Sequence, residues 1–111
     1  MDNSSAAILV LMTAASYDEA SRIAETLVGA RLAACVQILP EIGSVYRWQG
    51  EVQREKEILL LAKTVASRFD ELESKVRAMH SYETPEIVAI HVADVSAPYL
   101  KWLLSEVRED S

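Results

Sequence analysis

Eight consecutive residues, Met79-His80-Ser81-Tyr82-Glu83-Thr84-Pro85-Glu86, gather an imidazole, a phenol, a thioether and two carboxylates beside a proline. Imidazole and carboxylate are ligands for divalent cations, and a thioether suits Cu(I). Histidine binds metal only as the neutral ring, so a cation held by His80 leaves as that ring protonates. A histidine at a helix end has a second use, because an imidazolium there favours the helix dipole. Both uses stay open for His80. Glu83 and Glu86 are two carboxylates on a loop and a strand start, a weak cation site unless other ligands join them. Cys35 is the chain's one cysteine. It rules out an intrachain disulfide and a cysteine-based zinc cluster within one chain. It is a soft potential ligand and equally a small buried residue. Cys35 with His80 could also pair as nucleophile and base, which requires hydrogen-bond reach. No Gly-rich phosphate loop, G-x-S-x-G or H-E-x-x-H segment accompanies them, so no enzymatic role is expected. His91 alternates along a strand and reads as a packed or edge histidine.

These groups must be positioned by their flanking elements. Ala6 to Thr13 is a short apolar run, a buried strand. Ser16 and Glu19 form an S-x-x-E capping box. The stripe Ala20, Ile23, Ala24, Leu27 and Val28 that follows has helical spacing, with Gly29 as its stop. Residues 34–48 are β-branched and extended, and Pro40 inside them requires an edge or a bulge. Gln49-Gly50 makes a tight turn, and a second long strand returns over Glu51 to Thr64. Glu57 and Lys63, six apart, share a face of that strand, each able to meet a charge from another subunit. Ser67 caps a second helix with an inward stripe of Phe69, Leu72, Val76 and Met79; its opposite face, Arg68 to Arg77, is charged and solvated. "HSYETP" ends this helix, with Pro85 fixing the turn. Residues 86–94 form a fourth strand. Ser96 opens a terminal helix with Tyr99, Leu100, Leu103 and Leu104 inward.

The order β-α-β-β-α-β plus a helix is the ferredoxin-like α+β arrangement: one antiparallel sheet with helices against it, in a single domain over 1–111. The two middle strands are too long for it. Residues 34–48 extend about 50 Å at ~3.3 Å per residue. A domain of this size has a radius of gyration near ~13 Å, hence a diameter of about 34 Å. The hairpin therefore overhangs, with Tyr46, Trp48 and Val52 near its tip. Bare edge hydrogen bonds and apolar rings there call for a partner, most simply further copies of the chain joined head to tail into a ring.

The formal charge is −6, which argues against a nucleic-acid footprint and against an anionic membrane surface. The apolar run Ala6–Met12 follows an acidic start and is too short to span a bilayer. A cytoplasmic protein is expected, with loose ends at 1–5 and 109–111.

"ACVQILPEIGSVYRWQGEV", "EILLLAKT", "HSYETPEI" and "YLKWL", four ordered blocks between Ile8 and Val107, resemble the CutA family of divalent-cation tolerance proteins. The resemblance implies a homotrimer of ferredoxin-like subunits, whose long hairpins pair with neighbours. It also implies binding of copper or another divalent cation. Cys35 falls in a Cys-Val-Asn-Ile block, here with Gln37. His80, Tyr82, Pro85 and Glu86 match a His-Pro-Tyr-x-x-Pro-Glu block, here with Ser81. Where some members place a further histidine and a cysteine as copper ligands, this chain has Met79 and Met12. The implied metal set is thus His80, Cys35, Met79, Met12 and Glu83, in a cleft between subunits. The implied interface set is Tyr46, Trp48, Val52, Glu57 and Lys63. A second reading remains open: a trimer resembling nitrogen-regulatory signalling proteins, which binds a small anion or a protein.

Overall fold

The structure, a computed structural model, describes residues 6–108; the loose ends expected at 1–5 and 109–111 lie outside them. The elements are β1 (Ala7–Ala14), α1 (Tyr17–Gly29), β2 (Cys35–Trp48), β3 (Glu51–Val65), a 3₁₀ turn (Ala66–Arg68), α2 (Phe69–Met79), β4 (Ile87–His91) and α3 (Ala97–Val107). One antiparallel sheet has the order β2-β3-β1-β4. This is the ferredoxin-like arrangement read from the sequence. Strand alternation sends Ile8, Val10, Met12 and Ala14 of β1 to one face, with Leu60 and Ala62 of β3. There they meet Ile23 and Leu27 of α1 and Leu72 and Val76 of α2 in the main core. The opposite face is only partly covered. At one end α3 packs Leu103 and Val107 against Ala34 and Val65. Beyond α3, Val88 is 50% and Ile90 48% exposed.

Local signals decide most boundaries. Ser16 Oγ accepts the Glu19 N–H at 3.1 Å and starts α1. The helix stops at Gly29, as read, but the left-handed residue that closes it is Arg31, whose φ is 59°. There the N–H groups of Arg31 and Leu32 return to the carbonyls of Val28 and Leu27, a closure that usually recruits glycine. Val28, placed in the buried stripe, is 44% exposed. Ser67 caps nothing: the 3₁₀ turn leads into α2 from Arg68, and no side-chain cap bond forms there. Nor does Ser96 cap α3 through its side chain. Arg68, assigned to the solvated face, is 6% exposed. It donates from Nε to the Arg31 carbonyl and pairs with Glu71. β4 ends at His91, short of the expected Asp94, and His91 is an exposed edge residue.

The overhang is real. β1 pairs with β3 only from Ile58 onward. Ile42–Trp48 and Glu51–Glu57 therefore have only each other, a two-stranded ribbon about 23 Å long at ~3.3 Å per residue. The described residues measure 44 × 26 × 22 Å. Pro40 sits where it was expected, on the edge strand at a register shift between Leu39 and Ile42. At the tip, Gln49 and Gly50 have φ of 50° and 82°, the both-positive pattern of a type I′ hairpin turn. A Cβ on Gly50 would meet no atom within 4 Å, so any cost of Gly50→Ala is purely conformational. Thermal or urea unfolding should show a loss of about 1 kcal/mol for Gly50→Ala. It should show a gain of about 0.5 kcal/mol for Gly29→Ala, since Gly29 is helical and equally open. Equal effects at both positions would remove the backbone argument.

Candidate functional site

The loop after α2 is fixed from both sides by hydrogen bonds that are remote in sequence. His80 is the C-cap of α2, and its N–H reaches the Val76 carbonyl at 2.9 Å. Its side chain does not serve the helix end. It is fully buried, with Nε2 donating to the Thr13 carbonyl at 2.8 Å and Nδ1 accepting the Tyr82 N–H at 3.0 Å. Those two partners require one tautomer, with the proton on Nε2. Glu19, buried at the start of α1, accepts from Ser81 N–H at 2.7 Å, from the Ser81 hydroxyl at 3.0 Å and from Ala15 N–H at 3.2 Å. Its Oε2 lies 3.7 Å from His80 Nδ1. Burial pushes the Glu19 carboxyl up. The hydrogen bonds from Ser81 and Ala15 are the larger of the effects that outweigh it and hold it below its ordinary value.

Tyr82 carries the connection onward. Its ring stacks obliquely on His80, with centroids 4.8 Å apart. Its hydroxyl donates to Glu57 Oε2 at 3.0 Å. Burial, then the Glu57 bond and charge, push the phenol well above its usual range. Glu57 lies at the root of the ribbon and is 8% exposed. The chain Glu19–Ser81/His80–Tyr82–Glu57 thus ties the helical layer to the overhanging ribbon.

Between ribbon and loop lies a cleft of roughly 650 Å³. Thr13 and Glu57 line its inner end, the ribbon residues 44–46 and Trp48 form one wall, and residues 82–86 form the other. Glu57, Glu83 and Glu86 line it, and among the described residues no lysine, arginine or histidine does. Tyr46 is 41% and Trp48 46% exposed. The Tyr46 hydroxyl is held above its usual range by desolvation and by the nearby Glu55 carboxylate.

The residues named as metal ligands are scattered within one chain. Met12 is fully buried in the main core, and Met79 packs against the same cluster. Both thioethers are packing groups here. Cys35 stands opposite Lys63, which stands opposite Leu9. His80 bonds to Thr13, four residues further along β1, or about 13 Å at ~3.3 Å per residue. Cys35 and His80 therefore neither share a ligand sphere nor form a nucleophile–base pair in one chain. Both nitrogens of His80 are occupied. Only Glu83, of the named set, lines the cleft. Among the described residues, no three His, Cys, Asp or Glu side chains could together hold a metal ion. The set as named does not fit a metal in one protomer.

The interface set divides likewise. Tyr46, Trp48 and Val52 are exposed on the ribbon. Glu57 already has Tyr82, and the Lys63 ammonium lies 5.5 Å from the Tyr99 ring centroid. Sequence reasoning found Glu19 as a capping residue and missed its bonds to Ser81, 62 residues away. It also missed the bond from Tyr82 to Glu57, because no local pattern encodes either contact.

A model of the "CutA1 divalent ion tolerance protein" family matches residues 8–106. The chain is 50% identical over 95 residues to the "Divalent-cation tolerance protein CutA" of Thermus thermophilus, covering 86% of this chain and 92% of that protein. A solved structure from Thermus thermophilus, described as a divalent cation tolerance protein, superposes with a TM-score of 0.90 at 46% identity, covering 92% of this chain and 99% of the other. The rice "Protein CutA 1, chloroplastic" is 40% identical over 102 residues, which are 92% of this chain and 58% of the rice protein.

Proposed function

Since the chain belongs to the CutA1 divalent ion tolerance family, we propose that it serves divalent-cation tolerance as a homotrimer. In this reading each cleft holds copper or another divalent cation, with groups from a neighbouring copy completing the site. The observation that carries it is the cleft itself: three carboxylates and no basic group among the described residues, at the root of a ribbon that cannot cover its own rings. Carboxylate oxygens suit divalent cations, and ligands from a second chain supply what one protomer lacks. Trimerisation is supported by the ribbon's free edges and by Val45 and Val52, exposed on the ribbon face opposite the two rings, which head-to-tail strand addition would bury.

The contacts shift from the set named earlier toward Glu83 and Glu86, because His80 is closed in by Thr13 and Tyr82. Isothermal titration of copper and other divalent cations tests this. Glu83→Gln with Glu86→Gln should weaken binding at least tenfold, and Cys35→Ser should leave it unchanged. Equal affinity in all three proteins would remove the cleft from cation binding. The signalling alternative, with a small anion as ligand, lacks a basic group in this cleft; Lys63 lies toward the other end of the sheet. Among the described residues, no helix is long and apolar enough to cross a membrane.

A further inference from the structure

We propose that the same cleft takes a small organic ammonium ion, a protonated or quaternary amine, held by ring faces and carboxylates. The inference rests on the lining chemistry and not on divalent-cation binding. A bare metal needs several hard donors converging on one point, and the described residues of one chain provide no such group. An alkylammonium needs less: a diffuse negative potential and an aromatic face within about 6 Å. Both are present. Glu57 is more than nine-tenths buried at the cleft's inner end, while Glu83 and Glu86 stand on the loop wall. Tyr46 and Trp48 present half-exposed rings on the ribbon wall. The volume of roughly 650 Å³ falls within the usual span of small-molecule sites, about 300–1,000 Å³.

The ribbon's own charge pattern places its cations elsewhere. The pairs Ile42–Glu57, Ser44–Glu55, Tyr46–Gln53 and Trp48–Glu51 alternate with Val45–Arg54 and Arg47–Val52. Period-two alternation therefore sends Glu51, Glu55 and Glu57 to the face that carries the two rings. Arg47, Arg54 and Lys56 go to the other. No cation of this chain's ribbon shares the face that the amine would use.

Tetramethylammonium is the direct probe, because it donates no hydrogen bond and has no ligand chemistry. Tert-butyl alcohol is its neutral counterpart in shape. The full-length protein, in its native assembly, is titrated with each in EDTA at matched ionic strength, by calorimetry and by ¹H–¹⁵N spectra. Tetramethylammonium should shift the Trp48 indole N–H saturably, leave the Trp102 indole in place, and exceed the alcohol at equal concentration. Trp48→Leu should weaken binding about fivefold, as expected for losing one ring face. Glu83→Gln, on an exposed loop that leaves the ribbon intact, should weaken it as well. Equal shifts from ion and alcohol, an affinity that both variants leave unchanged, or no binding to the wild type would overturn the proposal. The last result would include a cleft filled by a neighbour's ribbon. EDTA keeps this outcome separate from the copper titration, so either reading can fail alone.

Discussion

Glu19→Ala should lower unfolding stability by about 3 kcal/mol at neutral pH, the largest effect expected of any single side chain outside the apolar core. The carboxylate accepts three hydrogen bonds, two from Ser81 and one from Ala15. An orphaned donor costs roughly 1–3 kcal/mol when buried; Ala15 and Ser81 are exposed residues, so water recovers part of that and about 1 kcal/mol per bond remains. Glu19→Gln should cost less, since its amide oxygen still accepts but without the charge. The pH dependence has a definite sign. The folded carboxyl lies below its ordinary value, so the unfolded chain binds the proton first as pH falls. The contribution is therefore complete above the ordinary carboxylate range and disappears as pH drops through the lower, folded value. Urea unfolding at fixed protein concentration should show a wide gap between wild type and Glu19→Gln at neutral pH. That gap should narrow steadily below about pH 4.5. A loss under ~0.5 kcal/mol for Glu19→Ala at neutral pH, the scale of an ordinary surface change, would mean these bonds are not stabilising. Because Ser81 and His80 lead to Tyr82 and Glu57, the same variant should also loosen the cleft.

The contrast between Glu19 and the ribbon shows what the sequence could reveal. Apolar runs, β-branched composition and the 3.6-residue stripe found the four strands and three α-helices, since all are written locally in the sequence; the 3₁₀ turn at Ala66–Arg68 was not found. Strand length alone exposed the overhang. The positions of Pro40 and Gly50 followed from chemistry that glycine and proline impose on their own backbone. The errors fall where a long-range contact overrides a local rule. Ser16 caps its helix and Ser67 does not, although both are serines before an amphipathic run. Arg31 takes the left-handed position that glycine would favour, held in a setting where its side chain also reaches Glu106. His80 looks like a ligand in isolation because its partners, the Thr13 carbonyl and the Tyr82 N–H, are backbone groups without residue identity. Met12 and Met79 are core for the same reason that any soft apolar side chain is: they fill space between sheet and helices. The sequence implied a cleft only between subunits, through the family resemblance; the cleft between loop and ribbon of one chain, and its acidic lining, required the fold.

Val88→Glu combined with Ile90→Glu should reduce the assembly to single chains while leaving the fold intact. These two side chains lie on the sheet face opposite α1 and α2, beyond the reach of α3. Each is about half exposed, and the same face carries the partly buried Leu11, Leu59 and Leu61 with the exposed Leu39. In a solitary subunit, a charge at such positions costs little, within about 0.5 kcal/mol apiece for a surface site. If copies bury this face, the cost is of another order. Each carboxylate must then lose its water without a partner, at several kcal/mol per ion. About 1.5–3 kcal/mol of burial is also forfeited per lost apolar side chain. Repeated on every copy around a ring, that exceeds what an ordinary interface can supply. Sedimentation at micromolar concentration should therefore give one 12.3 kDa chain for the double variant and three for the wild type, with similar circular dichroism. The ribbon variant Val45→Asp with Val52→Asp, at residues 60% and 59% exposed, separates the two surfaces. If only the ribbon variant dissociates, the sheet face stays open and the copies are joined by their hairpins alone. If neither dissociates, the shared cleft loses its physical basis, because nothing would then bring a second chain to the walls that Trp48 and Glu83 leave incomplete.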